Sequence, residues 1–247
     1  METVNRFVIL AAPRTGSNWM CSMLNSHPQV LCHHGIFNPS GIHYALDHRA
    51  GDLDLGTVEQ RDVNPLEFLA RLWQHTFGKQ AVGFKFNRDE NERALAATLA
   101  DKHTLKIVLK RRNRIRTFVS EMIAESTGQW ESYHFSEQRP PPAALTVDAA
   151  SLLRHVERNQ RYYAQVEARA DADGQSFLTV FYEDLYSRAE WARVLDFLRV
   201  SPDASLLRAS TRKQNSRSLR ELIANFKSLE AQLRGSTIEA ELHAPDA

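Results

Sequence analysis

The sequence predicts a single α/β domain in which a mostly parallel β-sheet is flanked by helices. Short apolar strand patterns alternate with amphipathic helix patterns along the 247 residues, and strands separated by helices normally pair in parallel. No linker rich in Ser, Gly or Pro divides the chain, and its 43% hydrophobic residues suffice for one core. We therefore expect one domain over residues 1–247, with ligands at the carboxyl ends of the strands.

The elements follow from the spacing of apolar residues, which alternate in strands and recur every three to four residues in helices. In chain order, the pattern predicts strand 5–11, helix 17–26, strand 29–33, helix 64–77, strand 81–86, helix 90–100, strand 104–109, helix 114–127, a long helix 147–171, strand 176–181, helix 187–199 and a C-terminal helix 216–233. The stretch 128–145 lacks a regular pattern, contains several aromatic residues and includes three consecutive prolines. It predicts a long loop.

The first predicted strand runs into the most informative segment of the chain, which reads FVILAAPRTGSNWM from Phe7 to Met20. Its turn contains Pro13, Arg14 and Gly16, and a helix pattern follows at once. A strand, a tight turn and a helix start gather backbone N–H groups and the positive end of a helix dipole around one point. The segment therefore predicts a binding site for a phosphate or a sulfate group.

This loop departs from the nucleoside-triphosphate pattern GxxxxGK[ST]. With Gly16 as the second glycine, Ala11 occupies the first glycine position, Ser17 the Lys position and Asn18 the Ser/Thr position. In that pattern the Lys grips the outer phosphates and the hydroxyl binds Mg²⁺. Their absence disfavours triphosphate hydrolysis and leaves a P-loop-like phosphate cradle without a metal.

A second basic segment follows the fourth predicted strand. Arg112 and Ser120 are eight residues apart, a little over two helical turns, so both side chains can share one ligand. Arg111, Arg114 and Arg116 add positive charge at the helix start, which is unfavourable against the helix dipole unless an anion is present. A solvated basic helix start is the alternative, but the run favours a bound phosphate.

Several ordered segments resemble the cytosolic-type sulfotransferase family over about residues 5–226. The residues APRTGSNW, from Ala12 to Trp19, are similar to its 5′-phosphosulfate loop, with Arg14 at a position where Lys is also common. Arg112 and Ser120 match a pair that the family places on a 3′-phosphate. Downstream matches are the Tyr-Glu-Asp-Leu sequence at 182–185 and the segment around residues 212–214, where Gln replaces the Gly of an Arg-Lys-Gly triplet.

This resemblance implies transfer of a sulfuryl group from 3′-phosphoadenosine 5′-phosphosulfate (PAPS) to an alcohol, with 3′-phosphoadenosine 5′-phosphate (PAP) as product and no metal. Similarity to the bacterial nodulation-factor and glycolipid branch implies a carbohydrate or glycolipid hydroxyl, while phenols and other small alcohols stay open. Trp19 and, less strongly, Tyr182 are candidates for contacting adenine. The full set of implied donor-binding residues is Pro13, Arg14, Thr15, Gly16, Ser17, Asn18, Trp19, Arg112, Ser120, Tyr182, Arg212 and Lys213.

The catalytic base is the point where the chain departs from its bacterial relatives, which often carry Glu where this sequence has Gly35. His33 and His34 directly precede Gly35, and a neutral imidazole is a competent base near neutral pH. An alternating strand would send them to opposite faces, and we favour His34 over His33. Lys85 would contact the sulfuryl group or the acceptor, unless it is only an edge Lys. Arg14 would serve the leaving phosphate.

The remaining sequence features concern compartment and partners. A net charge of +1 gives no reason to expect nucleic-acid binding. Two cysteines suggest a reducing compartment, and no signal peptide or apolar run of ~20 residues is apparent. We expect a cytoplasmic protein without a transmembrane segment that acts on a small-molecule or glycolipid acceptor, with loop 128–145 as an acceptor-side lid. The oligomeric state stays open.

Two other functions remain compatible with the sequence. A divergent P-loop kinase would require Mg²⁺ and a carboxylate ligand beside the loop, and the absent Lys argues against it. A nucleotide-binding regulatory protein without catalytic activity would retain the donor site, and the missing Glu supports this alternative. Two observations would distinguish sulfotransfer from these alternatives: the identity of the donor that the protein binds, and whether a hydroxyl group is modified.

Overall fold

The computed structural model describes residues 4–49, 51, 53–130, 144–172, 174–208 and 217–245. Arg212, Lys213 and most of the predicted loop 128–145 therefore lie outside the described residues. The strands are β1 (Asn5–Ala11), β2 (Val30–Gly35), β3 (Ala81–Asn87), β4 (Thr104–Lys110) and β5 (Phe177–Phe181). They form one parallel sheet in the order β2-β3-β1-β4-β5, which confirms the predicted α/β class.

The helices enclose both faces of this sheet. They are α1 (Ser17–Asn25), α2 (Val58–Val63), α3 (Pro65–Leu72), α4 (Glu92–Ala100), α5 (Arg114–Thr127), α6 (Ala149–Ala172), α7 (Arg188–Phe197), α8 (Leu219–Leu222) and α9 (Phe226–Leu233). Most bounds agree with the predicted ones to within two residues. The predicted helix 64–77 is shorter and is preceded by α2, because Pro65 suits the first turn of a new helix.

The predicted single helix 216–233 is wrong, because the chain is extended between α8 and α9. The Leu145 N–H donates to the Leu222 carbonyl at 2.7 Å, and the Ala224 N–H donates to the Leu145 carbonyl at 2.8 Å. This exchange makes a parallel bridge between Leu145 and Ile223. A pairing with a residue about 80 positions earlier overrides the local helical pattern, and the amphipathic period could not reveal it.

Two apolar layers of the core pack against the sheet, one on each face. Phe7 and Ile9 of β1 face the layer formed with α1 and α7, whereas Val8 and Leu10 face the layer formed with α3, α4 and α6. This alternation is the period of two expected of a strand, applied to a strand buried on both sides. β1 is thereby fixed at the centre of the sheet, and the loop that follows it emerges at the carboxyl edge.

Within the described residues, no helix combines the length and the apolar character that crossing a bilayer requires.

Candidate active site

The turn between β1 and α1 has the backbone conformation of an anion-binding loop. Arg14 and Gly16 both have positive φ, at 63° and 89°, and Gly16 directly precedes α1. Left-handed residues in a turn bring successive N–H groups toward one concave side. The Thr15 hydroxyl donates to the Ala12 carbonyl at 2.8 Å, so this side chain holds the loop rather than offering its proton to a ligand. Ser17 begins the helix and is buried.

Tyr163 of α6 supports the loop from one face of the sheet. Its hydroxyl accepts a hydrogen bond from the Ala12 N–H and donates one to the Leu109 carbonyl, both at 2.8 Å. Burial raises the pKa of Tyr163 to about 12, which keeps the phenol protonated and able to donate. The side chain therefore ties the end of β1 to the end of β4. Sequence reasoning missed Tyr163, because nothing in a helical pattern marks one Tyr as a loop support.

Tyr182 supports the loop from the other side. A Cβ atom added to Gly16 would lie 2.2 Å from Tyr182 Cδ2, so the backbone at this position packs directly on the phenol ring. Tyr182 is buried, and its hydroxyl lies 2.9 Å from that of Tyr186. Tyr186 is 55% exposed, and its ring lies 5.0 Å from that of Trp19. The exposed aromatic surface beside Trp19 is thus Tyr186, and Tyr182 underlies Gly16.

The Arg14 side chain reaches away from the turn toward α5. Its Nε donates to Ser120 Oγ at 3.0 Å and its Nη1 to the Trp130 carbonyl at 2.6 Å. Ser120 is therefore brought to the loop as a partner of Arg14. Pro13, just before it, is half-buried.

Arg112 does not share a partner with Ser120. Its guanidinium makes a bidentate pair with Asp184, with both N–O distances 2.7 Å, and lies 4.2 Å from the centroid of the Phe181 ring. Hydrogen bonding to Arg112 lowers the pKa of Asp184. The argument from two helical turns fails for a simple reason. Arg112 precedes Asn113, the residue that caps α5, so the eight-residue spacing is not measured along one helix.

The start of α5 is already neutralised by carboxylates of the protein. Glu183 accepts from the backbone N–H groups of Arg112 and Asn113 at 3.1 to 3.3 Å. Glu241 accepts from the Arg114 N–H at 2.5 Å and from its Nε at 2.7 Å. These contacts satisfy the helix dipole. Because protein carboxylates already compensate this helix start, the arginine run does not by itself indicate a bound phosphate there, and the phosphate contact of Arg112 stays a prediction.

Two other arginines of the same run lie beneath the loop. Arg111 donates to the Arg14 carbonyl at 3.3 Å, and its guanidinium lies 4.7 Å from the Tyr182 ring centroid. Its Nε is buried without a hydrogen-bond partner among the described residues. Arg116 is 5% exposed, and burial together with the charge of Arg111 lowers its pKa to about 10. The half-buried Arg111 and the buried Arg116 are neighbouring cations that favour an anionic ligand nearby, a feature the sequence left indistinguishable from a solvated face.

Lys85 of β3 is an interior residue and not an edge lysine. It is 6% exposed, and its Nζ donates to Asn18 Oδ1 in the first turn of α1. At the end of the same strand, Glu90 accepts from the backbone N–H and the Nδ2 of Asn87 at 3.0 Å each. Burial raises the pKa of Glu90. Lys85 and Asn18 thus join the loop to β3 at the carboxyl edge of the sheet.

The two candidate histidines have different environments. His33 is fully buried, its ring lies 5.7 Å from that of Tyr44, and its Nδ1 accepts from the Ala45 N–H at 3.1 Å. Because that lone pair is occupied, His33 holds the chain at Ala45 and is poorly placed to take a substrate proton. His34 is also fully buried, at a register shift of β2 between His33 and Gly35. A simple strand alternation did not foresee this bulge.

Burial of His33 should make the protein sensitive to acid. It lowers the pKa of His33 to about 3, below the ordinary value near 6.5, so the unfolded chain takes up this proton first. The stabilisation is complete above pH 6.5 and is lost as the pH falls toward 3. Between pH 7 and pH 5 we expect His33 alone to remove about 2 kcal/mol of the free energy of unfolding.

Urea unfolding of the wild type and of His33→Gln at both pH values measures this difference. The variant should lose less stability on acidification, whatever its stability at pH 7. His103→Gln changes an exposed imidazole and should leave the acid dependence unchanged. Equal acid dependence in the wild type and His33→Gln would contradict the prediction.

In the part of the chain that the structure describes, no three His, Cys, Asp or Glu side chains come together as a possible metal site. Cys21 and Cys32 are free, buried thiols. The site therefore consists of backbone N–H groups, cationic side chains and aromatic rings.

Comparison with known proteins agrees with this architecture. No protein-family model matches the chain. Nodulation protein H of Rhizobium tropici is 28% identical over 249 residues, covering 98% of this chain and 94% of that protein. Nodulation protein H of Rhizobium meliloti strain 1021 is 28% identical over 229 residues, covering 90% and 89%.

The fold has a solved counterpart. A sulfotransferase from Alicyclobacillus acidocaldarius aligns with a TM-score of 0.51 at 16% identity, covering all of this chain and 98% of that one. At that identity the structural likeness establishes the fold, while the nodulation proteins supply relatives along nearly the whole sequence. The chain is therefore similar to nodulation protein H along nearly its whole length, and its parallel sheet has the fold of a solved sulfotransferase.

Proposed function

We propose that the protein transfers a sulfuryl group from PAPS to a hydroxyl of a carbohydrate or glycolipid. The observation that carries the proposal is the loop after β1, in which two left-handed residues, Arg14 and Gly16, open a concave row of N–H groups at the start of α1. It lacks the Lys and the hydroxyl that a nucleoside triphosphate with Mg²⁺ requires. A donor whose transferred group leaves from a single 5′-phosphate suits this loop.

Different residues around the loop would bind different parts of such a donor. The N–H groups of residues 14–18 would bind the 5′-phosphate, and the Arg14 guanidinium would stabilise the charge that forms on it as the sulfuryl group departs. Trp19 and Tyr186 offer a face for adenine. Arg111 and Arg116 supply positive potential below the nucleotide, where Arg111 Nε is available for a hydrogen bond.

The acceptor side begins at Lys85. Its ammonium, anchored on Asn18, is positioned to stabilise a sulfuryl oxygen during transfer, since charge on the transferred group is shared among its oxygens. We keep His34, at the bulge of β2, as a candidate to receive the acceptor proton. The carbohydrate or glycolipid class rests on the resemblance to the nodulation-factor and glycolipid branch, which the relatives named nodulation protein H support.

Binding of PAP and of adenosine 5′-phosphate tests the donor site and the assignment of Arg112 together. We expect PAP to bind the wild type, and Arg112→Ala to weaken PAP by about tenfold or more, since a charge-assisted contact is worth roughly 1.5–3 kcal/mol. Adenosine 5′-phosphate lacks the 3′-phosphate, so its affinity should change little. Titration calorimetry measures both ligands, and Arg154→Ala, an exposed arginine of α6, is the matched control.

Equal losses for both nucleotides would mean that Arg112 does not contact the 3′-phosphate. Failure of the wild type to bind PAP would reject the donor itself. Mass spectrometric detection of sulfate transfer from PAPS to saccharides, a glycolipid and simple phenols then separates an enzyme from a protein that only binds nucleotide. Phosphate transfer from ATP with Mg²⁺ would instead favour the kinase alternative.

A further inference from the structure

We infer that Glu121 is the carboxylate that receives the acceptor proton and that His155 is its positioning residue. The inference rests on the proposed function and assigns a base that the sequence motifs do not supply. It starts from the position of α5. Because Ser120 Oγ accepts from Arg14 Nε at 3.0 Å, this turn of the helix lies against the donor loop, and Glu121 is the next residue along it.

His155 of α6 lies beside the Glu121 carboxylate. His155 Nδ1 lies 3.3 Å from Glu121 Oε2, and Asn159 Nδ2 lies 2.9 Å from His155 Nε2. An amide nitrogen can only donate, so as placed it leaves Nε2 as an acceptor and puts the ring proton on Nδ1, facing Glu121. Burial lowers the pKa of His155 to about 4, which keeps the imidazole neutral. Glu121 Oε2 has no hydrogen-bond partner among the described residues, so this neutral N–H is placed to donate to it and would orient the carboxylate without neutralising it.

Arg88 approaches the same carboxylate from the end of β3. Its backbone N–H donates to the Ala11 carbonyl at 2.9 Å, which places it at the end of β1, beside the loop. The guanidinium is 6% exposed, its Nε pairs with Asp89, and its Nη1 is buried without a hydrogen-bond partner in the described residues. Its charge acts on Glu121 and on His155.

Other buried polar atoms near Arg88 are also unsatisfied. Asn159 Oδ1 and the hydroxyl of Tyr162 have no hydrogen-bond partner within the described part of the chain. Buried polar atoms are normally paired, so these unpaired atoms near Arg88, together with the unpaired Glu121 Oε2, indicate space for a polar ligand or ordered water. A sugar, which offers several hydroxyls on adjacent carbons, has the chemistry to satisfy them. Glu121 itself retains 18% side-chain exposure, as a group that meets a substrate must.

The charges around Glu121 set its basicity. Burial is the largest effect and raises the pKa of Glu121, and the exposed Glu125 one turn later raises it further. Arg88 at the end of β3, Arg158 of α6 and Arg14 of the loop lower it, and His155 and Asn159 are the polar groups facing it from α6. The net effect is a raised pKa of Glu121, which makes the carboxylate a better proton acceptor than an ordinary glutamate.

The step conserves atoms and charge. The acceptor oxygen forms a bond to sulfur as the bond between sulfur and the 5′-phosphate oxygen of PAPS breaks, with that electron pair leaving on PAP. The hydroxyl proton passes to a Glu121 carboxylate oxygen. The proton is released to solvent after the products leave. No oxidant, reductant or metal is required.

Glu121→Gln tests the inference, because it keeps the shape of the side chain and removes its basicity. We expect kcat for sulfation of a saccharide from PAPS to fall by ~10²-fold or more, with the Kd for PAP changed less than threefold. Glu157→Gln makes the same chemical change at an exposed position of α6 and should leave kcat and Kd unchanged. His155→Gln should lower kcat less than Glu121→Gln and shift the acid limb of the pH profile of kcat.

Unchanged turnover in Glu121→Gln at normal thermal stability would overturn the inference, as would a wild-type pH profile in His155→Gln. His34→Ala is the rival variant, and a large loss of kcat there with none in Glu121→Gln would assign the base to His34. If the wild type binds PAP but sulfates none of the saccharide, glycolipid and phenol acceptors, the proposed sulfotransferase function is rejected. The inference about Glu121 is then rejected as well, because it rests on that function.

Discussion

Arg14→Ala should abolish most sulfate transfer, with kcat/KM expected to fall by ~10²- to 10³-fold, the cost of removing a preorganised charge donor from a developing anion. The side chain is anchored on Ser120 and on the Trp130 carbonyl, and we expect it to keep the Ser120 contact while its guanidinium turns to the charge that forms on the leaving phosphate. Steady-state kinetics with PAPS and PAP titration measure the effect. KM for PAPS should rise less than kcat falls, because the charge being stabilised is largest in the transition state.

Arg14→Lys is the informative control. It keeps one positive charge but cannot donate both to Ser120 and to the phosphate in the same geometry, so we expect partial activity. Arg14→Gly removes the side chain while relieving the left-handed backbone, whose φ is 63°. It should be as inactive as the alanine variant without being less stable than it. Full activity in Arg14→Ala would contradict the assignment of the loop as the site of the leaving group.

Gly16→Ala should damage both the stability of the loop and its affinity for PAP. The added Cβ would stand 2.2 Å from Tyr182 Cδ2, and alanine at a φ of 89° is itself strained. We expect the free energy of unfolding to fall by about 1 kcal/mol because of the backbone strain and by a further 1–3 kcal/mol because of the displaced ring. This loss lowers Tm by several degrees. PAP affinity should fall as well, because the displaced segment carries the N–H cradle.

Gly78→Ala separates the backbone contribution to the loss of stability from the contribution of the displaced Tyr182 ring. Gly78 also has a positive φ, 72°, but no atom lies within 4 Å of an added Cβ. Its variant should lose only the backbone contribution and bind PAP as the wild type does. Differential scanning calorimetry and calorimetric titration measure both variants. Equal losses of Tm in the two variants would show that Tyr182 yields freely and that contact with Gly16 does not shape the loop.

Local patterns predicted the fold because the fold is made of locally encoded units. From Phe7 to Ala11, β1 is continuously apolar and is buried on both faces, and the helices that separate the strands have clear apolar faces. Where an element depends on a distant partner, the prediction fails. The break between α8 and α9 follows from pairing with Leu145, and the bulge at His34 follows from the register with β3.

The donor loop was predictable for the same reason, since its turn, its glycine and its helix start are consecutive in the chain. The environments of the arginines could not be predicted from the sequence. Arg111, Arg112, Arg114 and Arg116 look alike in sequence, yet the structure places Arg112 on Asp184 and Arg114 on Glu241. Arg111 and Arg116 are directed beneath the loop instead. The carboxylates that make this distinction come from segments about 70 and 130 residues away.

The sequence by itself determined an α/β domain with an anion-binding loop after its first strand, because hydrophobic period and turn chemistry are short-range properties. It also placed Gly35 where the bacterial sulfotransferases that the chain resembles often carry Glu. Only the tertiary structure decided which charged groups surround the loop, because burial and ion pairing depend on residues that meet through folding. Glu121, His155 and Arg88 belong to three different elements and carry no shared motif. Packing of α5, α6 and the end of β3 against one another brings them together.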